Sequence, residues 1–224
     1  MAHRRQIHLR QRGLAGRFEV SPALTTAAPK IAGIILSGGA SRRMGSPKAL
    51  LQYRDETFLD RLIGLFSAVC DSVVVVVGLH AESIRSGIAR GSEVLFAVNP
   101  DPERGMLSSL QCGLACVPQD ADAAMFLPVD HPQIALDTVR SVAERFRLDR
   151  APVTVPVHLG EHGHPVCIAR SVIDELLALP VDAKASDVIH RHVGQTSYIE
   201  VVDQAVVTDI DDPAAYADLI AQRP

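Results

Sequence analysis

Three cations and three glycines crowd into the segment Leu36-Ser-Gly-Gly-Ala-Ser-Arg-Arg-Met-Gly-Ser-Pro-Lys48, directly behind the short apolar run Ile31–Leu36. Their types point to phosphate chemistry. Gly38 and Gly39 let a backbone approach a phosphate or base closely, because no Cβ intervenes. Arg42 and Arg43 offer planar guanidinium forks and Lys48 a point charge, together enough for a polyphosphate. Pro47 stiffens the turn that presents Lys48. A Walker A loop ends Gly-Lys-Ser/Thr, whereas here Lys48 follows Pro47 and precedes Ala49, and the Gly-x-Gly-x-x-Gly dinucleotide fingerprint is missing as well. The segment therefore predicts a triphosphate site of another kind.

Other chemistry-bearing groups follow along the chain. In Asn99-Pro-Asp-Pro-Glu-Arg-Gly-Met-Leu-Ser-Ser109, Gly105, Ser108 and Ser109 open a helical pattern. Hydroxyls there either form an anion- or base-recognition turn or cap the helix, and the two roles are compatible. Leu127-Pro-Val-Asp-His-Pro132 ends an apolar run with Asp130, and the bracketing prolines suggest a rigidly aimed carboxylate rather than a plain turn residue. In Thr208-Asp-Ile-Asp-Asp-Pro213, an extended backbone over 206–210 would put Asp209 and Asp211 on one side, with Asp212 left to cap the helix opened by Pro213. Glu161-His-Gly-His-Pro165, with His158 nearby, has zinc-ligand types, but its spacing matches no helical zinc motif and its glycine and proline make it a turn.

The elements that must position these groups alternate. Ile31–Leu36, Val73–Val77, Val94–Val98 and Ala123–Leu127 read as buried strands, separated by helical patterns over Phe58–Val69, Ala81–Ala89 and Ser108–Val117. A helix over Ile134–Phe146 precedes short strands at Val153–Val157 and Val166–Ile168. Helices around Ser171–Leu179 and Ser186–Val193, strands Tyr198–Val202 and Val206–Ile210, and a closing helix from Pro213 complete the pattern. This is the signature of an α/β three-layer, mostly parallel wound sheet, in which ligands collect at the carboxyl ends of strands. Residues 1–29 lack apolar periodicity and read as a flexible basic extension. Residues 30–224 then form one domain.

Charge and cysteine usage narrow the partners. Net charge is −4, yet residues 1–30 carry five Arg and one Lys against Glu19 alone, a surplus of +5 that leaves the remainder near −9. So acidic a domain is a poor nucleic-acid binder. No apolar run is long enough for a bilayer span, and the Arg-rich start lacks the apolar core of a secretory signal. Cys70, Cys112, Cys116 and Cys167 are scattered without a Cys-x-x-Cys pair, which fits buried thiols in a reducing cytoplasm.

Residues Leu36–Lys48 closely resemble the Leu-Ala-Gly-Gly-x-Ser-x-Arg-Met-Gly-x-x-Lys signature of the MobA-like nucleotidyltransferases, which include the molybdenum cofactor guanylyl- and cytidylyltransferases. Further family elements recur in order over roughly residues 31–220. The resemblance implies a Rossmann-like nucleotidyltransferase fold of the GT-A-like kind. It implies that Leu36, Ser37, Gly38 and Gly39 meet base and ribose, that Arg43 and Lys48 grip the triphosphate, and that Asn99, Gly105, Ser108 and Ser109 line the nucleotide pocket. Asp130 matches the family aspartate that binds Mg²⁺, and the 208–213 segment resembles the family's closing motif, with Asp211 favoured over Asp209 as the second ligand. Gly163-His164-Pro165 matches the family's Arg-Gly-His-Pro with His162 in place of Arg, so His164 is either an acceptor contact or a structural turn residue.

The implied activity is transfer of a nucleotidyl group to a phosphorylated acceptor of molybdopterin type. Pro47 before Lys48 resembles the cytidylyl branch, favouring CTP, whereas the guanylyl branch usually has Asp there. Val181–Ser186 departs from the cytidylyl pattern Gly-Asp-x-Gly-Ala-Arg, losing both glycines and the arginine. A sugar- or alditol-phosphate nucleotidyltransferase is the enzymatic alternative. A non-catalytic nucleotide- or cofactor-binding delivery protein for a molybdoenzyme partner is the other.

Overall fold

The computed structural model describes residues 27–39, 41–180 and 183–221. The expected basic extension lies outside these residues except for 27–29, and so do Val181 and Asp182 of the departing stretch. Strand β1 (Ile31–Ser37) is fully buried, followed by a two-residue hairpin, β2 (Gln52–Tyr53) and β3 (Glu56–Thr57), and helix α1 (Phe58–Ser67). Then come β4 (Ser72–Val77), α2 (Ala81–Gly87), β5 (Leu95–Val98), α3 (Met106–Leu114), β6 (Ala123–Pro128) and α4 (Leu136–Asp149). The later half holds β7 (Val153–His158), β8 (Glu161–His162), β9 (Val166–Ala169), α5 (Arg170–Leu177), α6 (Ala185–Arg191), β10 (Ser197–Glu200) and α7 (Pro213–Ala221).

The main sheet runs β10-β7-β9-β6-β1-β4-β5, with β8 paired to β7. Strands β6, β1, β4 and β5 are parallel, β9 runs antiparallel between β6 and β7, and the two-residue β8 is antiparallel to β7. Because side chains alternate across a strand, Ile31, Ile35, Val73, Val75, Met125 and Leu127 pack toward α1, α4 and α7. Ala32, Ile34, Val74, Val76 and Phe126 pack toward α3, α5 and α6. Burial on both faces explains the unbroken β-branched run of β4 and the apolar run of β1 in the sequence. No helix among the described residues is long and apolar enough to cross a membrane, and all four cysteines are free.

One expected strand is not there. Residues 206–210 are not extended in the sheet: a short 3₁₀ turn covers Gln204–Val206 and irregular backbone follows to Asp212. The polar backbone of this segment pairs with loops instead of a neighbouring strand. The Val206 carbonyl accepts from the His164 amide at 2.9 Å, and the Ile210 amide donates to the Asp130 carbonyl at 2.8 Å.

Candidate active site

After β1 the chain builds outward through β4 and β5, then returns to place β6 on the other side of β1. The carboxyl ends of β1 and β6 therefore flank the point where strand order reverses, the place where open sheets of this kind form a ligand crevice. The Leu36–Lys48 loop leaves one of those ends and Val129-Asp130 the other. The Val129 amide donates to the Leu36 carbonyl at 3.0 Å and ties the two together.

Glycine is required where these strand ends meet. A Cβ on Gly38 would stand 2.7 Å from Ser109 Oγ, and one on Gly78 would run into the Gly38 carbonyl. Ser109 is itself held from behind: Asn99, nearly inaccessible, donates through Nδ2 to Ser108 Oγ at 2.9 Å and Ser109 Oγ at 3.0 Å. Both serines lie inside the first turn of α3. Its N-cap is Gly105, whose φ of +93° suits glycine, so neither serine is the cap. Asn99, Ser108 and Ser109 thus form a scaffold under Gly38.

Farther along the loop, Ser41 adopts a left-handed φ of +47°, its carbonyl accepts from the Met44 amide, and its Oγ accepts from the Lys48 amide at 3.1 Å. That folds the basic stretch back so that Lys48, at the start of a 3₁₀ turn behind Pro47, reaches Asp130 just past the end of β6. Lys48 Nζ donates to Asp130 Oδ2 at 2.9 Å and to Asp211 Oδ1 at 2.6 Å, with only 12% of its side chain exposed. Arg43 donates to the other oxygen of Asp211 at 2.7 Å, and the more exposed Arg42 reaches Glu103 at 2.6 Å. The backbone bond from Ile210 to Asp130 is what brings Asp211 here, while Asp209 stays exposed and Asp212 caps α7 through the amides of Ala214 and Ala215.

Electrostatics follow from this pairing. Burial disfavours the Lys48 ammonium, yet hydrogen bonds to Asp211 and Asp130 outweigh it and raise its pKa. The Lys48 hydrogen bond, helped by Arg43, holds the Asp211 carboxyl below its usual range. These groups open onto a cavity of about 350 Å³, lined by Leu36, Ser37, Gly39, Ser41, Arg42, Arg43, Pro47, Lys48, Ile84, Val129, Asp130 and Asp211. Gly38, Asn99, Gly105, Ser108, Ser109 and His164 do not line it. The arrangement is chemically plain: two mobile-stemmed cations that an anion can recruit, and two carboxylates they would then release.

Residues 33–196 match the model of the MobA-like NTP transferase domain. The chain belongs to that family. It is 26% identical over 180 residues to the molybdenum cofactor cytidylyltransferase of Escherichia coli K12, covering 80% of this chain and 90% of that one. It is also 27% identical over 191 residues to the nicotine blue oxidoreductase of Paenarthrobacter nicotinovorans, covering 82% and 93%. The crystal structure of Rv0371c in complex with manganese, from Mycobacterium tuberculosis H37Rv, superposes with a TM-score of 0.73 at 27% identity over 87% of this chain and 100% of that one. Relatives carrying different named activities mean that function has to be argued from the site, not from the fold.

In this MobA-like domain His131 and His164 sit behind the carboxylates. His131 Nδ1 donates to the Ala205 carbonyl at 3.1 Å, and its Nε2 stands 3.9 Å from Asp130 Oδ1. The His164 ring lies 5.3 Å from that of His131 and edge-on to Phe126 at 6.1 Å. Burial first, then the neighbouring His131, push its pKa down to about 4. His162 is elsewhere, stacked on Tyr198 at 4.8 Å, and His158 approaches the Val201 carbonyl. Among the described residues no cluster of three or more His, Cys, Asp or Glu could hold a metal ion. Sequence reasoning missed Ile84 and Val129 as cavity walls. Only the apolar periodicity of α2 and the position of Val129 beside Asp130 hinted at them.

Proposed function

We propose that the protein transfers a nucleoside monophosphate, CMP by preference, from a nucleoside triphosphate to a phosphorylated acceptor of molybdopterin type. An acceptor phosphate oxygen bonds to the α-phosphorus as the bond from that phosphorus to the bridging oxygen breaks, and pyrophosphate leaves. The observation that carries this is the Lys48 ammonium shared by Asp130 and Asp211 at the strand-order reversal, under the glycine-rich signature loop. The cytidylyltransferase relative supports the transfer and the acceptor class, and Pro47 before Lys48 supports CTP.

Asp130 and Asp211 fit a divalent ion: two carboxylates already converge on one cation, and Mg²⁺ characteristically takes one or two carboxylates and completes its shell with substrate phosphates and water. The manganese complex of Rv0371c supports a divalent ion for this chain, though not which residues hold it. When bound, Mg²⁺ supplies charge neutralisation to the reacting phosphates. The chain's own residues do the rest. Arg43 and Lys48 release the carboxylates and hold the leaving pyrophosphate. Ser37 and Gly39 bring backbone to the nucleotide, and Ile84 and Val129 keep water from its flank. Positioning and charge stabilisation carry such a transfer, and no protein nucleophile is needed.

Incubation with CTP, GTP, ATP or UTP, Mg²⁺ and molybdopterin should release pyrophosphate fastest with CTP. Asp130→Asn should slow release by about 100-fold or more, as loss of one charge-stabilising group typically does. Unchanged Mg²⁺-dependent release by that variant would remove the metal assignment. Nucleotide binding without pyrophosphate from any phosphorylated acceptor, sugar and alditol phosphates included, would make the protein a carrier instead.

A further inference from the structure

We propose that Lys48 is an exchangeable counter-ion that keeps a divalent metal off Asp130 and Asp211 until a triphosphate draws the lysine away. The inference rests on the metal assignment above and adds an order to it: triphosphate, or triphosphate with its metal, before free metal.

Three of the four carboxylate oxygens are held by a cation without substrate. Asp211 gives one oxygen to Lys48 and the other to Arg43, Asp130 gives Oδ2 to Lys48, and the remaining Asp130 oxygen faces His131 across 3.9 Å. Two anions and two cations sum to zero, so a free dication meets no net attraction and must compete for lone pairs that the ammonium already occupies. Lys48 is the partner that matters. It touches both carboxylates and is well shielded, whereas Arg43 touches one and is mostly exposed, where ion pairs are weak.

A triphosphate changes the balance. Its charge competes for Lys48 and Arg43, and each cation that leaves uncovers a carboxylate charge for the metal. Metal and nucleotide then strengthen one another's binding, and linkage makes the factor reciprocal. Lys48 is built for the exchange: its charge rides on a flexible four-carbon stem while its backbone stays pinned by Ser41 Oγ.

The test needs no turnover. Mn²⁺ alone is titrated into the full chain and followed by the loss of the free-ion EPR signal. Lys48→Met should bind Mn²⁺ about tenfold more tightly than the unaltered protein, within the usual range for coupled sites. Lys48→Arg should bind as weakly as the unaltered protein, and Lys48→Met with Asp130→Asn should lose the gain. Lys48→Gln serves as a second neutral variant if the methionine protein fails to fold by circular dichroism. A neutral variant that binds no more tightly than the unaltered protein overturns the proposal. Water proton relaxation with Mn²⁺ and α,β-methylene-CTP separates the two levels. A ternary enhancement that Asp130→Asn abolishes leaves the metal site standing without the lysine lock, and no enhancement removes both.

Discussion

At the scale of single residues, His164 is packed behind the cavity rather than lining it. Its ring is packed between His131 and Phe126 and kept neutral, with a pKa of about 4 against an ordinary 6.5. Between those values the unfolded chain binds a proton that the folded chain refuses, so stability falls as pH drops from 6.5 toward 4 and is unaffected by this group above 6.5. The full difference is on the order of 3 kcal/mol. Urea midpoints at pH 7.5 and 4.5 should show His164→Asn losing at least ~1 kcal/mol less on acidification than the unaltered protein, and equal losses would deny the ring this role. The residue types in Leu36–Lys48 and Asp130 were legible because glycine, arginine and a strand-end carboxylate have few other reasons to occur together. The histidine's position was not: a turn residue's neighbours come from the fold, here from the 204–206 turn and β6.

At the scale of elements, α1 is pinned by a residue that no motif marks. Thr57 caps the helix by accepting from the Asp60 amide, and its hydroxyl donates to Asp60 Oδ2 at 2.7 Å. Asp60 Oδ1 accepts from the amides of Ala89 and Arg90, fastening α1 to the exit of α2, the helix whose Ile84 walls the cavity. The carboxylate is buried, so Asp60→Ala would strand two amides and a hydroxyl. A loss of about 2–4 kcal/mol in urea unfolding is expected, with a raised KM for nucleotide as the α2 exit loosens, and a loss under ~1 kcal/mol would mean water replaces the carboxylate freely. The strands β1, β4 and β6 were readable because two-sided burial demands unbroken apolar runs. The extended reading of 206–210 failed because Val206 and Ile210 are buried by loops around Gly163 and Asp130, and apolar spacing does not say which partner a backbone group takes.

At the scale of the whole molecule, the site is assembled from distant parts of the chain: the loop after β1, the end of β6, and Asp211, which sits just before α7. Binding should therefore stabilise the entire domain. With CTP and Mg²⁺ at about 100 times the dissociation constant the gain is ~2.7 kcal/mol, or about 5–10 °C in Tm for a domain of this size. Asp211→Asn separates this gain from the stability of the free protein. Its ion pairs to Lys48 and Arg43 lie at a partly exposed carboxylate, so solvent screening holds the cost without ligand to about 1 kcal/mol or less. The thermal shift with nucleotide and metal should drop below about 2 °C, because the closing segment no longer offers a charged ligand to the metal. Undiminished stabilisation of Asp211→Asn would place the second ligand elsewhere, with the exposed Asp209 the next to exchange. A large loss without ligand would instead make Asp211 a structural anchor for the chain's end.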